Sequence, residues 1–419
     1  MPPPQRTWES PNLLSISVGY KINECITGMD KLGNAIVIWQ QYSETNESSL
    51  WAIHYFIDEG WGTAELIESN SGYARYPEVA LDNCGNVMVV WQQIDGTDSS
   101  IWAVHYDKNN GWGTAEPIES NPGDAEYPHI AFTENGNAIS VWRQSDGINY
   151  SVWVNYYNSS GVWGTAELLE SNSGYAGYAD LAIDNHGNAM VAWQEGDESG
   201  QSIWTIYYDR NLGWRTAKSI ESNRSSTGFP RLDFDNFGNT IVVWEQRDNT
   251  ANLIWATRYR AGIGWEESKP IETNPWLAIR PRVSDDENGN AICVWMQQED
   301  PWMTIYSNRY IADKGWCSAE KIGWDIGGDS ETPQIVTDNM GNAIAIWLQN
   351  NGSKYSIFFN HYKNGIGWDG QQPLCTDIWD NMLYPGIAMD CYGNAIAVWV
   401  QTSGDKYALW TSRYCIPPS

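Results

Sequence analysis

Short apolar runs and polar turns alternate along the whole chain in a pattern that repeats. The clearest unit is a turn of the form Asp-Asn-x-Gly-Asn followed by an apolar run ending in Trp and Gln, as in DNCGNVMVVWQQ from Asp82. Such runs, bounded by Gly, Asn and Asp, are typical of β-strands joined by tight turns. The turn glycines recur every 51 or 52 residues, at Gly33, Gly85, Gly136, Gly187, Gly238, Gly289, Gly341 and Gly393. The pattern therefore predicts an all-β chain built from eight repeats.

Each repeat contains four strand-like runs, which we name A to D in chain order. In the second repeat they are YPEVALD from Tyr76, NVMVVWQQ from Asn86, SIWAVHY from Ser100 and TAEPIES from Thr114. The turns between A and B and between C and D allow neighbouring strands to pair antiparallel. Four antiparallel strands per repeat of this length predict one blade of a β-propeller. A linear β-solenoid is the alternative, but it needs parallel coils and capping units that the sequence does not show.

The two ends of the chain complement each other in this frame. The segment around Trp8 matches a D strand, whereas the last repeat stops after its C strand at Cys415. We therefore expect one domain, residues 1–419, folded as an eight-bladed β-propeller. Residues 8–14 are expected to form the outer strand of the last blade, which closes the ring and leaves no sheet edge unpaired.

Tryptophan recurs at fixed positions in every B strand. Because the recurrence follows the frame, we expect these rings to pack between blades and to build the fold, not to bind a ligand. The Gln two residues after each of them is expected to bond a neighbouring loop. The B-strand residues are Trp39, Trp91, Trp142, Trp193, Trp244, Trp295, Trp347 and Trp399.

A second recurrent position lies just before the proline of strand A. In a propeller this position surrounds the mouth of the central channel, on the face that carries the variable B–C and D–A loops. The residues there either cover the strand ends or contact a ligand. They are Glu24, Tyr76, Tyr127, Tyr178, Phe229, Arg280, Thr332 and Tyr384.

Four tryptophans lie outside the repeat frame. Trp276, Trp324 and Trp379 fall in D–A loops, and Trp302 falls in a B–C loop, so all four map to the face of the channel mouth. Clustered aromatic rings beside polar groups suit stacking on a sugar or gripping a peptide, although each ring could instead plug its own loop. The predicted ligand-binding residues are Trp276, Arg280, Trp302, Trp324, Trp379, Tyr384, Tyr76, Tyr127 and Tyr178.

Composition limits the classes of partner that the chain is expected to bind. A formal net charge of -28 with 24 Lys and Arg residues argues against nucleic acid and anionic membranes, both of which require clustered positive charge. No signal peptide or apolar membrane span is visible, so the chain as written is expected to be soluble and cytoplasmic, with its compartment unknown. The proline-rich ends resemble linkers and predict a monomer or a segment of a longer multidomain protein.

The sequence indicates neither a cofactor nor a metal. The seven cysteines show no C-x-x-C pair and are expected to be free thiols. The Asp-Asn-x-Gly-Asn turn is too short to supply the six or seven oxygens of a calcium site, and hairpin chemistry accounts for it.

The stretch YPEVALDNCGNVMVVW resembles repeats of the sialidase-like (BNR-type) propeller families, and the set of similar units also resembles propeller lectins. The likeness extends over all eight repeats, but the Asp-box pattern S-x-D-x-G-x-x-W is not matched. The resemblance implies a propeller with a glycan-related role. The residues with which sialidases hydrolyse glycans have no counterpart here, and the recurrent glutamates of the E-S-N and E-T-N segments belong to the frame. The chain is therefore predicted not to be an enzyme.

Three functions follow, in order of preference. The first is a non-enzymatic recognition module that binds glycan, like a lectin, through aromatic loops. The second is a protein-interaction scaffold that grips a peptide or partner domain at the same face. The third is a glycan-active hydrolase, which would need an off-frame pair of acids in different environments.

Overall fold

The computed structural model describes residues 6–68, 72–94, 96–133, 136–170, 174–197, 200–221, 226–247, 251–272, 274, 276–324, 326–375 and 381–416. Within these ranges the chain contains β-strands and turns and no helix. The all-β prediction is therefore confirmed.

Three long strands recur in each repeat, and they correspond to the predicted A, B and C. The A strands are Ile22–Met29, Tyr73–Leu81, Ala125–Phe132, Tyr175–Ile183, Ser226–Phe234, Ala278–Asp285, Ser330–Thr337 and Asn381–Met389. The B strands are Ala35–Tyr42, Val87–Ile94, Ala138–Ser145, Ala189–Asp197, Thr240–Arg247, Ala291–Glu299, Ala343–Asn350 and Ala395–Ser403. The C strands are Ser48–Phe56, Ser99–Asp107, Tyr150–Asn158, Gly200–Asp209, Asn252–Arg260, Trp302–Ile311, Tyr355–Lys363 and Lys406–Cys415.

The fourth strand is shorter than the sequence predicts. The continuous D strand expected from Thr114 is split in two, because Gly111–Trp112 and Glu116–Pro117 each pair separately with the C strand. The residues between the two segments leave the ladder, as is common at an exposed sheet edge. The paired segments are Gly60–Trp61, Glu65–Leu66, Gly111–Trp112, Glu116–Pro117, Val162–Trp163, Glu167–Leu168, Gly213–Trp214, Lys218–Ser219, Gly264–Trp265, Lys269–Pro270, Gly315–Trp316, Glu320–Lys321, Gly367–Trp368 and Gln372–Pro373.

The strands of a repeat pair in the order A, B, C, D, and every pair within a repeat is antiparallel. This is the strand order of a propeller blade. The first two repeats join into one ten-stranded sheet through a single parallel bridge between Ser48 and Tyr73. The A strands of successive repeats lie beside one another.

The turn between A and B is held by its aspartate. In the first repeat, Oδ1 of Asp30 accepts bonds from the backbone N–H of Leu32 and Asn34, both at 2.9 Å, and Oδ2 accepts from the side-chain amide of Asn34 at 2.7 Å. The Oδ1 of Asn34 then accepts from the backbone N–H of Ile57 at the C–D turn, at 3.2 Å. The recurrent motif therefore fastens the two turns of a repeat to each other.

The B-strand tryptophans form the most deeply buried layer, and each is 0% exposed. In the second repeat, Nε1 of Trp91 donates to Oε1 of Gln93 at 2.8 Å. In the third repeat, the side-chain amide of Gln144 also donates to the backbone carbonyl of Asn121 in the preceding loop, at 2.9 Å. In the third repeat the glutamine thus bonds both its own tryptophan and a neighbouring loop.

Both ends of the chain meet in one sheet. The N-terminal segments Thr7–Trp8 and Asn12–Val18 each pair antiparallel with Lys406–Cys415, the last strand. The first and last A strands are also linked, because the thiol of Cys25 donates to the backbone carbonyl of Tyr384 at 3.0 Å. The terminal strand expected from the sequence therefore lies beside the C strand of the final repeat.

None of the seven cysteines forms a disulfide bond. In the described part of the chain there is no helix long and apolar enough to cross a membrane.

Candidate functional site

Every A strand contains a β-bulge close to its start. In the second repeat the pairing with strand B shifts between Arg75 and Glu78, so that Tyr76 and Pro77 share one partner position. A bulge of this kind bends the strand and redirects a side chain. The residue before the proline therefore points differently from its neighbours in the strand.

The bulge places seven non-glycine residues in the left-handed region. Tyr76 has φ of 49° and Thr332 has φ of 50°. This conformation costs of order 1 to 2 kcal/mol for a residue with a Cβ atom, and such strain clusters at functional sites. The complete set is Glu24, Tyr76, Tyr127, Phe229, Arg280, Thr332 and Tyr384.

The bulges surround a cavity of about 650 Å³ that lies between the A strands. Its aromatic lining residues are Tyr76, Tyr127, Tyr178, Phe229 and Tyr384. Its polar lining residues are Glu24, Glu78, His129, Arg231, Glu331, Thr332 and Gln334. Residues from the first and the last repeats contribute to the same cavity wall.

Four of the aromatic rings form a continuous arc. The ring centroids of Tyr76 and Tyr127 lie 4.6 Å apart, those of Tyr127 and Tyr178 lie 4.8 Å apart, and those of Tyr178 and Phe229 lie 5.1 Å apart. These separations are typical of favourable aromatic pairs. We call Tyr76, Tyr127, Tyr178 and Phe229 the aromatic arc.

An arginine fixes the middle of the arc from outside. The guanidinium carbon of Arg143 lies 4.8 Å from the ring centroid of Tyr127 and 5.4 Å from that of Tyr178. Its Nη2 lies 2.6 Å from Oε2 of Glu126, so the charge of the guanidinium is balanced. Cation–π contact and the ion pair together hold the two rings in place.

The arc continues into polar residues at both ends. The Oε2 of Glu24 accepts a bond from the backbone N–H of Tyr76 at 3.0 Å. Burial raises the pKa of Glu24, and the bond from Tyr76 partly opposes this shift. Burial, followed by the hydroxyls of Tyr76 and Tyr178, raises the pKa of Tyr127, so this phenol is a neutral hydrogen-bonding group at physiological pH.

The predicted ligand-binding residues divide into two groups. Tyr76, Tyr127, Tyr178 and Tyr384 line the cavity. Arg280, Trp276, Trp302 and Trp324 are exposed outside the cavity lining, and Trp324 is the most exposed of the three tryptophans at 56%. Trp379 lies outside the described residues.

The sequence analysis missed a second set of cavity residues, two positions after the bulge residue. We call this position the cavity floor. The residue at this position differs between almost all repeats, whereas the residues around it recur. This variation within a recurrent frame is the sequence signal by which the position could have been identified. The floor residues are Ile26, Glu78, His129, Asp180, Arg231, Arg282, Gln334 and Gly386, of which Ile26, Glu78, His129, Arg231 and Gln334 line the cavity.

The opposite ends of the A strands surround a smaller cavity of about 310 Å³. There Nζ of Lys31 donates to Oδ1 of Asn185 at 3.1 Å and lies 3.7 Å from Oε1 of Glu287. These contacts join residues from distant repeats. Among the described residues no group of three or more His, Cys, Asp or Glu side chains is arranged to hold a metal ion.

Comparison with known proteins gives similarity of fold alone. No known protein family and no curated protein matches the sequence. A fungal alcohol oxidase of the AA5 family has a TM-score of 0.50 at 10% identity, over 98% of this chain and 76% of that one. A protein of unknown function from Dyadobacter fermentans has a TM-score of 0.48 at 11% identity, over 99% of this chain and 100% of that one. The leech intramolecular trans-sialidase has a TM-score of 0.43 at 9% identity, over 98% and 93%.

The resemblance to sialidase-like propellers is thus confirmed for the fold. The prediction that the chain is not an enzyme is wrong as it was drawn, because a fold that also occurs in a fungal alcohol oxidase gives no ground for excluding catalysis. The absence of a familiar catalytic motif was the ground for that prediction. It does not exclude catalysis on this fold.

Proposed function

We propose that this chain binds a glycan in the cavity framed by the aromatic arc and Tyr384. The observation that carries the proposal is the arc itself, a row of aromatic rings in a cavity that is also lined by polar side chains such as Glu24, Glu331 and Gln334. Sugar rings have an apolar C–H face and a rim of hydroxyls. A cavity lined by both aromatic rings and polar side chains matches both surfaces at once.

The dimensions favour a small ligand over a folded partner. A volume of about 650 Å³ falls within the usual range of small-molecule sites, roughly 300 to 1,000 Å³. It suits a short oligosaccharide or the end of a longer chain. A partner domain would need a broad contact surface, and a cavity between strands offers none.

Backbone strain supports a functional role for the same residues. Tyr76, Phe229 and Tyr384 keep a left-handed conformation although a glycine would adopt it at lower cost. We infer that the contacts made by a ring at this position compensate for the strain of its backbone. We propose that the exposed Trp276, Trp302, Trp324, Trp379 and Arg280 form an outer rim that a longer glycan reaches.

We also propose that the sheets are the blades of a closed, eight-bladed propeller comprising residues 1–419. Support comes from the pairing of both N-terminal segments with Lys406–Cys415 and from the bond between Cys25 and the carbonyl of Tyr384. Repeats from both halves of the chain also contribute to one cavity wall. In a closed ring the arc would stand at the mouth of the central channel.

A glycan array with the purified chain tests the function, followed by titration calorimetry on the best oligosaccharide. We expect Tyr127→Ala to weaken binding by at least about tenfold, because stacking on one ring contributes roughly 1 kcal/mol or more and its loss also frees the neighbouring rings. Tyr127→Phe keeps the stacking and should retain most of the affinity.

Tyr392 provides the matched control. It is 62% exposed and lies in the last A–B turn, at the opposite end of the strands from the cavity. Tyr392→Ala should bind like the unaltered chain. Chromatography of the same oligosaccharides after incubation with the chain shows whether they remain intact or have been cleaved. Failure of every glycan to bind, or equal binding by Tyr127→Ala, would overturn the proposal.

A further inference from the structure

The floor of the cavity carries opposite charges on opposite arcs. Glu78, His129 and Asp180 come from the second to fourth repeats, whereas Arg231, Arg282 and Gln334 come from the fifth to seventh. Because each residue occupies the same position in its own A strand, all six lie at one depth. They are about 6 to 7 Å further along the strand than the bulge residues.

One of the two carboxylates on the acidic arc, that of Asp180, is already paired. One oxygen of Asp180 lies 3.3 Å from Nη1 of Arg231 and 3.4 Å from Nδ1 of His129. The other oxygen accepts a bond from the backbone N–H of Leu232 at 2.9 Å. Both oxygens are therefore occupied, and Asp180 is not available to neutralise a further cation.

The basic arc is incompletely satisfied. The Nε of Arg231 is buried and makes no hydrogen bond. Arg282 donates from Nε to Oε1 of Gln334 at 3.3 Å and from Nη1 to the carbonyl of Pro281 at 3.2 Å. Neither acceptor carries a charge. Within the described ranges of the chain, Arg282 has no carboxylate partner at ion-pair distance.

The electrostatic environment of Arg282 agrees with this picture. Burial, followed by the nearby charge of Arg231, lowers its pKa to about 9, and the charges of Asp180 and Glu78 oppose the shift. A half-buried guanidinium with only neutral acceptors is poorly compensated. An anion supplied from outside would remove that cost.

We propose that Arg231, Arg282 and Gln334 form a binding site for an oxyanion, either a carboxylate or a sulfate, carried on the glycan that enters past the aromatic arc. The glycan part of this inference rests on the proposed function. The planar forks of the two arginines suit the oxygens of such a group, and the side-chain amide of Gln334 supplies a further donor. Arg231 and Gln334 line the cavity that the arc frames, and Arg282 contacts Gln334, so the ligand would approach from the arc.

The test is calorimetric titration with a sulfated oligosaccharide, its desulfated counterpart, and sodium sulfate against sodium chloride at equal ionic strength. We expect the sulfated sugar to bind at least about tenfold more tightly than the desulfated one. Arg282→Gln should abolish that difference. Arg215→Gln, at an arginine that is half exposed and paired with Asp209, is the matched control and should change nothing.

Gln334→Glu keeps the inference testable if Arg282→Gln fails to fold. The new carboxylate would stand about 3.3 Å from Nε of Arg282 and act as an internal counter-ion. It should raise the melting temperature of the free chain and remove the preference for the sulfated sugar.

The outcomes separate the two proposals. If neither sugar binds, the proposed function fails. The oxyanion site then survives only if sodium sulfate stabilises the unaltered chain more than it stabilises Arg282→Gln. If sodium sulfate stabilises both chains equally, the oxyanion site fails as well. If both sugars bind equally, the glycan proposal stands and the oxyanion site is overturned. The oxyanion site is also overturned if Gln334→Glu prefers the sulfated sugar as strongly as the unaltered chain does.

Discussion

The indole of Trp8 lies against the phenol ring of Tyr414, with ring centroids 5.3 Å apart, although the two residues stand at opposite ends of the chain. Trp8 also contacts the ring of Phe359 in the preceding repeat, at 5.6 Å. The N-terminal segment thus supplies the aromatic residue that other repeats provide from their own C–D turn. It covers a sheet edge that would otherwise be open.

Removal of residues 1–18 should therefore destabilise the whole fold. The deletion exposes the edge of Lys406–Cys415 and the rings beneath Trp8, and Trp8→Ala alone should cost about 2 to 4 kcal/mol of unfolding free energy. Thermal melting and urea unfolding measure the effect, and light scattering should show aggregation through the open edge. A chain that lacks only residues 1–5 is the control. Identical melting of the two truncated chains would contradict closure by the N-terminal strands.

The repeat made most of this fold predictable from sequence. The turn motif and the B-strand tryptophans are local patterns, and Asp30 and Trp91 make the bonds that such patterns imply. The outer strand was mispredicted at Thr114 because an exposed edge places few demands on its residues. Loop conformation depends on contacts outside the frame, so the sequence could name Trp276 and Trp324 but could not place them.

Only one of the two sets of residues in the candidate site could be predicted from the sequence. Tyr76 and Tyr127 were recognised by their position before a proline, which marks the start of strand A. The floor residues were missed because the bulge interrupts the two-residue alternation of the strand, so the face of a residue such as Arg282 cannot be extrapolated along it. Charge complementarity between Asp180 and Arg231 crosses repeats and becomes visible only once the A strands lie side by side.

The strain of the bulge can be measured at Thr332. It has φ of 50°, an unfavourable value for a β-branched residue, and its buried Oγ1 makes no hydrogen bond. Thr332→Ala and Thr332→Gly both remove the hydroxyl, but only the glycine relieves the backbone. We expect the glycine variant to be more stable than the alanine variant by about 1 kcal/mol, despite the greater chain entropy of unfolded glycine. Urea unfolding of the pair measures the difference, and equal midpoints would show that the bulge stores no strain.

A buried carboxyl makes the stability of the chain depend on pH. Glu272 is 3% exposed, and its Oε2 accepts a bond from the backbone N–H of Asn274 at 2.6 Å. Burial raises the pKa of Glu272 to about 7 from its ordinary value of 4.5. Between these two values the folded chain keeps a proton that the unfolded chain has released, so the unfolding free energy falls as the pH rises.

Glu272→Gln should remove this dependence. Below pH 4.5 the glutamate is protonated in both states, and the variant should match the unaltered chain. Above pH 7 the unaltered chain carries the full penalty of a buried charge, so the variant should be more stable by up to about 3 kcal/mol, the equivalent of the pKa difference. Urea unfolding at pH 4.5, 6 and 8.5 follows the change. Glu267→Gln, at an exposed position in the same repeat, should differ from the unaltered chain by less than about 0.5 kcal/mol throughout. A Glu272→Gln advantage that does not grow with pH would show that the carboxyl is already ionised or solvated in the folded chain.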